Sequence, residues 1–262
     1  MQNYKIYLTI IDHKPVLNVK PEILIEQTSY NLDTDYSESL FFNEDGSISE
    51  RIIEDALKNI MVFDDPQNGS MSTTKFFYDD KGRTTKDIEY DENDEAISET
   101  NYEYDADDNL VRQEYKEEGE VFLIKFFYEK ERNKVSSEHF TNGKLTMIQK
   151  KEMSNKKHIS FSMDENDRQI QKWIRFLDEN GIQTSESEYD ENDKLVKIFS
   201  NYYDKNESLQ YATNYDLAEN KLTEFFYDYK SKDEINTRIE KYYEDMELVL
   251  EKIYRYEYSN NK

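Results

Sequence analysis

Tyr104-Asp105-Ala106-Asp107-Asp108-Asn109-Leu110-Val111 is the stretch that decides the fold, because it returns as Tyr189-Asp190-Glu191-Asn192-Asp193-Lys194-Leu195-Val196. In each copy an aromatic residue closes one segment, a few polar residues follow, and an apolar pair opens the next. Asp and Asn suit such turns because their side chains bond the nearby backbone and tolerate left-handed geometry. Turns this short join antiparallel neighbours.

Working outward, the unit recurs along most of the chain. Tyr78, Tyr104, Tyr128, Met153, Leu177, Tyr203 and Tyr227 are spaced 24 to 26 residues apart. A second series (Tyr90, Tyr115, Phe140, Met163, Tyr189, Tyr215, Tyr243) interleaves at steps of 23 to 28. A steady period holding two similar sub-units marks a repeat architecture. Residues 73–262 therefore read as a mainly β region of hairpin repeats with a period of about 25 residues. Seven two-strand units predict about 14 strands in one long antiparallel meander sheet, twisted and curved, on the order of 65 Å long. Within 195–203 each face mixes apolar and polar side chains. Such a sheet has water near both sides and is held by cross-strand rows of Tyr, Phe and Ile.

Residues 1–72 read differently, as a small N-terminal α/β cap. Tyr4, Ile6, Leu8 and Ile10 alternate as in a strand. Ile48, Ile52, Ile53, Ala56, Leu57 and Ile60 share one helical face. That spacing predicts a helix near 47–61, with Ser47 and Glu50 as its capping box. Such a helix either covers the open end of the sheet or docks in a partner's groove.

Composition bounds the function. The 262 residues carry 58 Asp and Glu against 34 Lys and Arg, a formal net charge of −24. Nucleic-acid phosphates and anionic membranes need the opposite balance. A basic protein is the partner such a charge favours, although the same charge also keeps a long exposed sheet soluble. The chain has no cysteine, so disulfides and thiolate metal sites are excluded. The N-terminus opens into a strand-like segment rather than an apolar signal core, so the expected location is cytoplasmic.

Candidate chemistry thins out on inspection. Asp105-x-Asp107-x-Asn109 and Asp91-x-Asn93-x-Glu95 begin like calcium loops, but Leu110 and Ala96 stand where the sharp turn needs glycine. Three scattered histidines form neither a zinc site nor a nucleophile–base pair. No cofactor and no catalytic residue is expected. Charge is distributed more tellingly. Residues 86–120 hold 15 acidic residues against 3 basic ones, and 178–193 hold 7 against none. Asp91, Glu92, Asp94, Asp105, Asp107, Asp108, Asp190, Glu191 and Asp193 thus form the expected acidic dock for a basic partner, with Tyr102, Tyr104 and Tyr115 as aromatic anchors. The other reading makes them a solvated face with structural tyrosine ladders.

The two quoted octapeptides resemble the Tyr-Asp repeats of Rhs-type proteins, and the hairpin repeats of some bacterial immunity and antitoxin proteins. The resemblance covers about 73–258. Turns in that family usually carry glycine, as in Lys81-Gly82, Asn142-Gly143 and Asn180-Gly181, whereas Asp or Asn often replaces it here. The resemblance implies a hairpin-repeat scaffold. As a function it implies a non-enzymatic immunity or antitoxin protein that neutralises a toxin by occluding it with an acidic surface. A structural or surface repeat protein, as a fragment of a larger exported chain, is the first alternative. An acidic mimic of nucleic acid is the second. Oligomeric state is left open.

Overall fold

The computed structural model describes residues 2–14, 16–31, 33–129, 134–231 and 234–260. All regular structure among them is β. The first strands are β1 (Gln2–Asp12), the two-residue β2 (Asn18–Val19), β3 (Ile23–Asn31), β4 (Tyr36–Phe42), β5 (Ile48–Asp55), β6 (Ile60–Asp65) and β7 (Ser70–Tyr78). Next come β8 (Thr84–Tyr90), β9 (Ala96–Tyr104), β10 (Leu110–Glu117), β11 (Glu120–Glu129), β12 (Lys134–Thr141), β13 (Lys144–Met153) and β14 (Lys157–Met163). The last are β15 (Gln169–Leu177), β16 (Gln183–Tyr189), β17 (Leu195–Tyr203), β18 (Leu209–Asp216), β19 (Lys221–Ser231), β20 (Glu234–Glu244) and β21 (Glu247–Asn260).

From β3 onward each strand pairs antiparallel with the next. The ring then closes. β1 pairs with β3 on one side, and on the other with β21 from Gln2 opposite Asn260 to Asp12 opposite Leu250. Twenty strands make the barrel, and β2 rides on the end of β1. The expected meander is present, but the open sheet of about 14 strands is not. Closure removes the free edges that a long sheet would otherwise present to other chains.

The N-terminal α/β cap is also corrected. Residues 48–55 and 60–65 are the strands β5 and β6, with no helix between them. The helical spacing of the isoleucines is coincidental with alternation: Ile52 pairs with Ser39 and Phe63, and Ile53 with Glu38 and Val62, on opposite faces. Cross-strand neighbours on both sides override a local helical preference in a residue type that also favours strands. Ser47 belongs to a turn, where its N–H donates to Asp45 Oδ1 at 2.9 Å rather than opening a helix.

Cross-strand partners share a face, so the register sorts every strand into two sides. Of the eight described residues that are nearly covered, Thr28, Ser98, Thr100, Ser137, Ser162, Ala212 and Glu240 fall on one side, and Asp55, at the end of β5, on the other. Side chains crowd on the concave face of a closed barrel, so the side of the seven lines the lumen. The lumen is not filled. All extensive contacts between strands are between hydrogen-bonded neighbours, and Ala212 is the only apolar residue among those described that is taken fully out of water. The accessible surface is 16477 Å². A compact protein of this mass would expose about 12,000 Å². Twenty strands at about 4.8 Å and a tilt of about 40° give a backbone ring on the order of 40 Å across.

Candidate functional site

The repeated aspartates are turn clamps. In seven turns the leading carboxylate accepts, through Oδ1, the backbone N–H groups two and four residues further on, at 2.8–3.0 Å. The seven are Asp79, Asp91, Asp105, Asp164, Asp178, Asp190 and Asp204. The fourth residue of each turn has positive φ: Gly82 and Gly181, but also Asp94, Asp108, Asp167, Asp193 and Glu207. Asp and Asn tolerate that geometry better than most residues, which explains how glycine is so often replaced. The calcium-like spacing follows from the same clamp, because Asp91 and Asp105 spend Oδ1 on backbone donors. The N–H of Glu95 holds the Asp91 carboxyl below its usual range. Among the described residues no group of His, Asp and Glu is arranged to hold a metal ion.

The expected acidic dock is split by the fold. The turns at 91–95 and 190–194 lie at one end of the barrel, and the turn at 105–109 lies at the other. Asp91, Glu92, Asp94, Asp190, Glu191 and Asp193 therefore share a rim. Asp105, Asp107 and Asp108 stand at the far rim, so no single flat surface gathers all nine. The first rim is the more acidic: its turns hold sixteen Asp and Glu against four Lys and Arg, and the described turns of the far rim hold eleven against five.

Neutralisation differs between turns. Asp193 is bound by Lys172 Nζ and Gln169 Nε2. Asp167, in the matching turn at 164–168, is bound by Lys150 Nζ at 3.0 Å, and Glu165 by Lys144 at 3.2 Å. Asp108 takes Lys81 at 2.5 Å and Arg83 at 2.6 Å. Glu191 accepts a bond from Asn192 at 3.2 Å. Glu92, Asp94 and Glu95 make no ion pair among the described residues, which leaves the turn at 91–95 the most strongly charged of its kind.

Tyr102, Tyr104 and Tyr115 face the lumen, not the outer surface. Tyr102 donates to Asp87 Oδ2 at 2.8 Å, and burial together with that carboxylate pushes its phenol up to about 12. Tyr104 donates to the carbonyl of Thr84 at 2.9 Å, with the Arg83 guanidinium 4.5 Å over its ring. Tyr115 lies 5.9 Å from Phe122, and burial raises its pKa, with Glu117 adding to the effect. These rings are wall packing first and are partly accessible from inside.

The lumen wall also carries groups that the sequence reading passed over. Asp87 and Glu89 sit mid-strand beside the tyrosines, while Glu50, Glu54, Glu117 and Glu120 stand toward the strand ends. Their parity with Tyr102 and Tyr115 was available in the alternation of β8 to β11. For Glu50 and Glu54 the helical reading of 47–61 hid it. Across the lumen, Glu240 accepts from Tyr254 at 3.2 Å and pairs with Arg238 at 2.8 Å, forming a buried polar knot beside the β1–β21 closure.

Neither side of the wall is an apolar belt. Lys86, Glu99, Arg112, Glu114, Lys125 and Glu138 lie outward on adjoining strands, and Asp87, Glu89, Arg175, Glu186 and Glu188 lie inward. A barrel that crosses a bilayer needs an outward apolar band about 25 Å tall.

A family model described only as an uncharacterised protein matches residues 67–173. No curated protein matches the chain. Among solved structures, a porin-like protein from Bacteroides uniformis is similar at 11% identity and a TM-score of 0.31, covering 97% of this chain and 96% of that one. The Photorhabdus luminescens Tc holotoxin pore is similar at 9% identity and a TM-score of 0.32, covering 86% of this chain but 14% of that one.

Proposed function

We propose that this protein is a non-enzymatic binding protein that captures a basic protein partner, acting as a bacterial immunity or antitoxin protein that blocks a toxin by occlusion. The observation that carries the reading is the uneven pairing of charge. On the outer wall, carboxylates sit against cations, as in Arg51–Glu38, Lys86–Glu99 and Arg112–Glu103, at 2.6–2.8 Å. Among the described residues, the turn at 91–95 keeps Glu92, Asp94 and Glu95 without such partners. Unpaired charge on a rigid rim steers an oppositely charged protein and adds salt-sensitive affinity. The closed ring supports this by holding the turns in fixed relation. Water-facing charge on both sides of the wall supports a barrel that works in water rather than in lipid. Inhibition then needs no chemistry, only a covered active site on the partner.

The test is a pull-down of the product of the adjacent upstream gene by the purified full chain, at low and at high salt. A complex at low salt that weakens as salt rises supports the proposal. No complex at either salt removes it.

A further inference from the structure

We infer that the lumen wall from β3 to β12 is a binding site for an extended, Lys/Arg-rich polypeptide segment. The inference rests on the basic-partner reading above and places part of that partner inside the barrel.

Parity on these ten strands puts every described cation on one side, while carboxylates stand on both. Arg51, Lys75, Lys86, Arg112, Lys116 and Lys125 are all the lysines and arginines on them whose side chains are described, and every one lies on the outer face. The lumen face of the same strands carries Glu50, Glu54, Asp87, Glu89, Glu117 and Glu120. None of these six takes part in an ion pair among the described residues. Three of them accept from hydroxyls: Asp87 from Tyr102 at 2.8 Å, Glu89 from Ser98 at 3.3 Å and Glu54 from Ser37 at 3.2 Å. The rest of the lumen contrasts with this, because Arg175 pairs with Glu186 at 2.6 Å, Arg238 with Glu240 at 2.8 Å and Lys197 with Asp216 at 3.6 Å. Half of the inner wall is thus neutralised from within, and in the other half no described strand lysine or arginine faces the carboxylates.

The spread of these carboxylates selects the ligand. They sit on four strands, β5, β8, β10 and β11, across a span of about 30 Å at the usual strand spacing. A single metal ion needs its oxygens converged, and no group here is so arranged. Nucleic acid is repelled. An extended chain of about ten residues spans about 33 Å. It brings cations at intervals, a backbone able to bond Tyr and Ser hydroxyls, and apolar stems to lie on Tyr115 and Phe122. A lumen on the order of 25 Å wide after side chains admits it.

The test is a fluorescence anisotropy titration of the full chain with a labelled Lys/Arg–Gly peptide of about ten residues, the length that spans the wall. Three chains are compared: the natural one, a lumen variant (Asp87→Asn, Glu89→Gln, Glu117→Gln) and an outer-wall variant losing equal charge (Asp64→Asn, Glu103→Gln, Glu138→Gln). The expected result is saturable binding that weakens about tenfold or more in the lumen variant, a loss of at least about 1.4 kcal/mol, and much less in the outer-wall variant. A second lumen set, Glu50→Gln with Glu120→Gln, guards against misfolding. Those two side chains are exposed and bond nothing among the described residues, and their loss should weaken binding in the same direction. No saturable binding of the peptide, or equal loss in lumen and outer-wall variants, overturns the inference. The pull-down at the rim fails or succeeds independently, so a negative result here with a surviving complex rejects the lumen site alone.

Discussion

Thr73 stands opposite Tyr90 in the place that Lys172 takes opposite Tyr189. Each tyrosine immediately precedes an Asp-Glu-Asn-Asp turn. Lys172 reaches Asp193 in its turn, whereas Thr73 has nothing to offer Asp94. Lys75, the nearest cation on β7, instead lies 4.4 Å over the Tyr90 ring. One substitution within the repeat therefore decides whether the carboxylate at the fourth position of a rim turn is paired with a cation.

Thr73→Lys should place an ammonium against Asp94 and weaken low-salt binding of the basic partner by up to about fivefold, the worth of one exposed pair. The converse, Lys172→Thr, should release the Asp193 carboxyl, which Lys172 holds below its usual range. NMR titration of Asp193 checks the second change directly. An unmoved Asp193 would show that the lysine contact is idle in solution.

The clamp aspartates should matter through their oxygens, not their charge. Asp204 Oδ1 accepts the N–H groups of Asn206 and Ser208 at 2.8 and 2.9 Å. Asp204→Ala should cost about 1–2 kcal/mol in denaturant unfolding, and Asp204→Asn, which keeps an acceptor, much less. Equal losses in both variants would mean that charge is what the turn uses.

Glu207 holds φ at 66° and Met246 at 64°, in the left-handed region. Neither residue has the local hydrogen bonding that lets Asp or Asn rest there. Glu207→Gly and Met246→Gly should each stabilise the protein by about 1 kcal/mol, read from the unfolding midpoint. Destabilisation by either would contradict the turn geometry.

Stability should fall at both ends of the pH scale. Lys86 beside Glu99, and Lys116 beside Glu114, hold these carboxyls below the usual range. A depressed folded pKa contributes stability that is present above the unfolded value and lost as pH falls through the folded one. On the other side, burial pushes the phenols of Tyr4 and Tyr102 up to about 12, with Glu26 and Asp87 adding to it. A raised folded pKa contributes stability present below the unfolded value, about 10, and lost as pH rises toward 12. Tyrosinate absorbance should show a late-titrating class whose ionisation coincides with loss of the β-sheet circular dichroism. Titration of every tyrosine near 10, with the sheet intact, would contradict the packing described for these rings.

How much of this was legible in the sequence depends on the range over which the information acts. The turns were readable because Asp79, Asp91 and Asp105 act within four residues of themselves. The meander followed from turn length. Closure was not readable: Leu8 meets Tyr254 across nearly the whole chain, and nothing local marks either residue as a seam. The helical spacing from Ile48 to Ile60 misled because β-branched residues fit a strand whenever neighbours exist on both sides. For the site, the excess charge of 86–120 was visible, but its division into two rims and a lumen wall needed register. Asp94 and Asp108 look alike in sequence and stand at opposite ends of the barrel.

The account rests on the ring being closed, and the absence of native cysteine makes that directly measurable. Ile10 and Lys252 face each other across the β1–β21 pairing, on the lumen side. In the double variant Ile10→Cys, Lys252→Cys, mild oxidation of dilute protein should give an intramolecular disulfide in nearly every molecule, seen as faster migration on a non-reducing denaturing gel that reverts on reduction. Free thiols, or only cross-linked dimers, would contradict closure and with it the lumen.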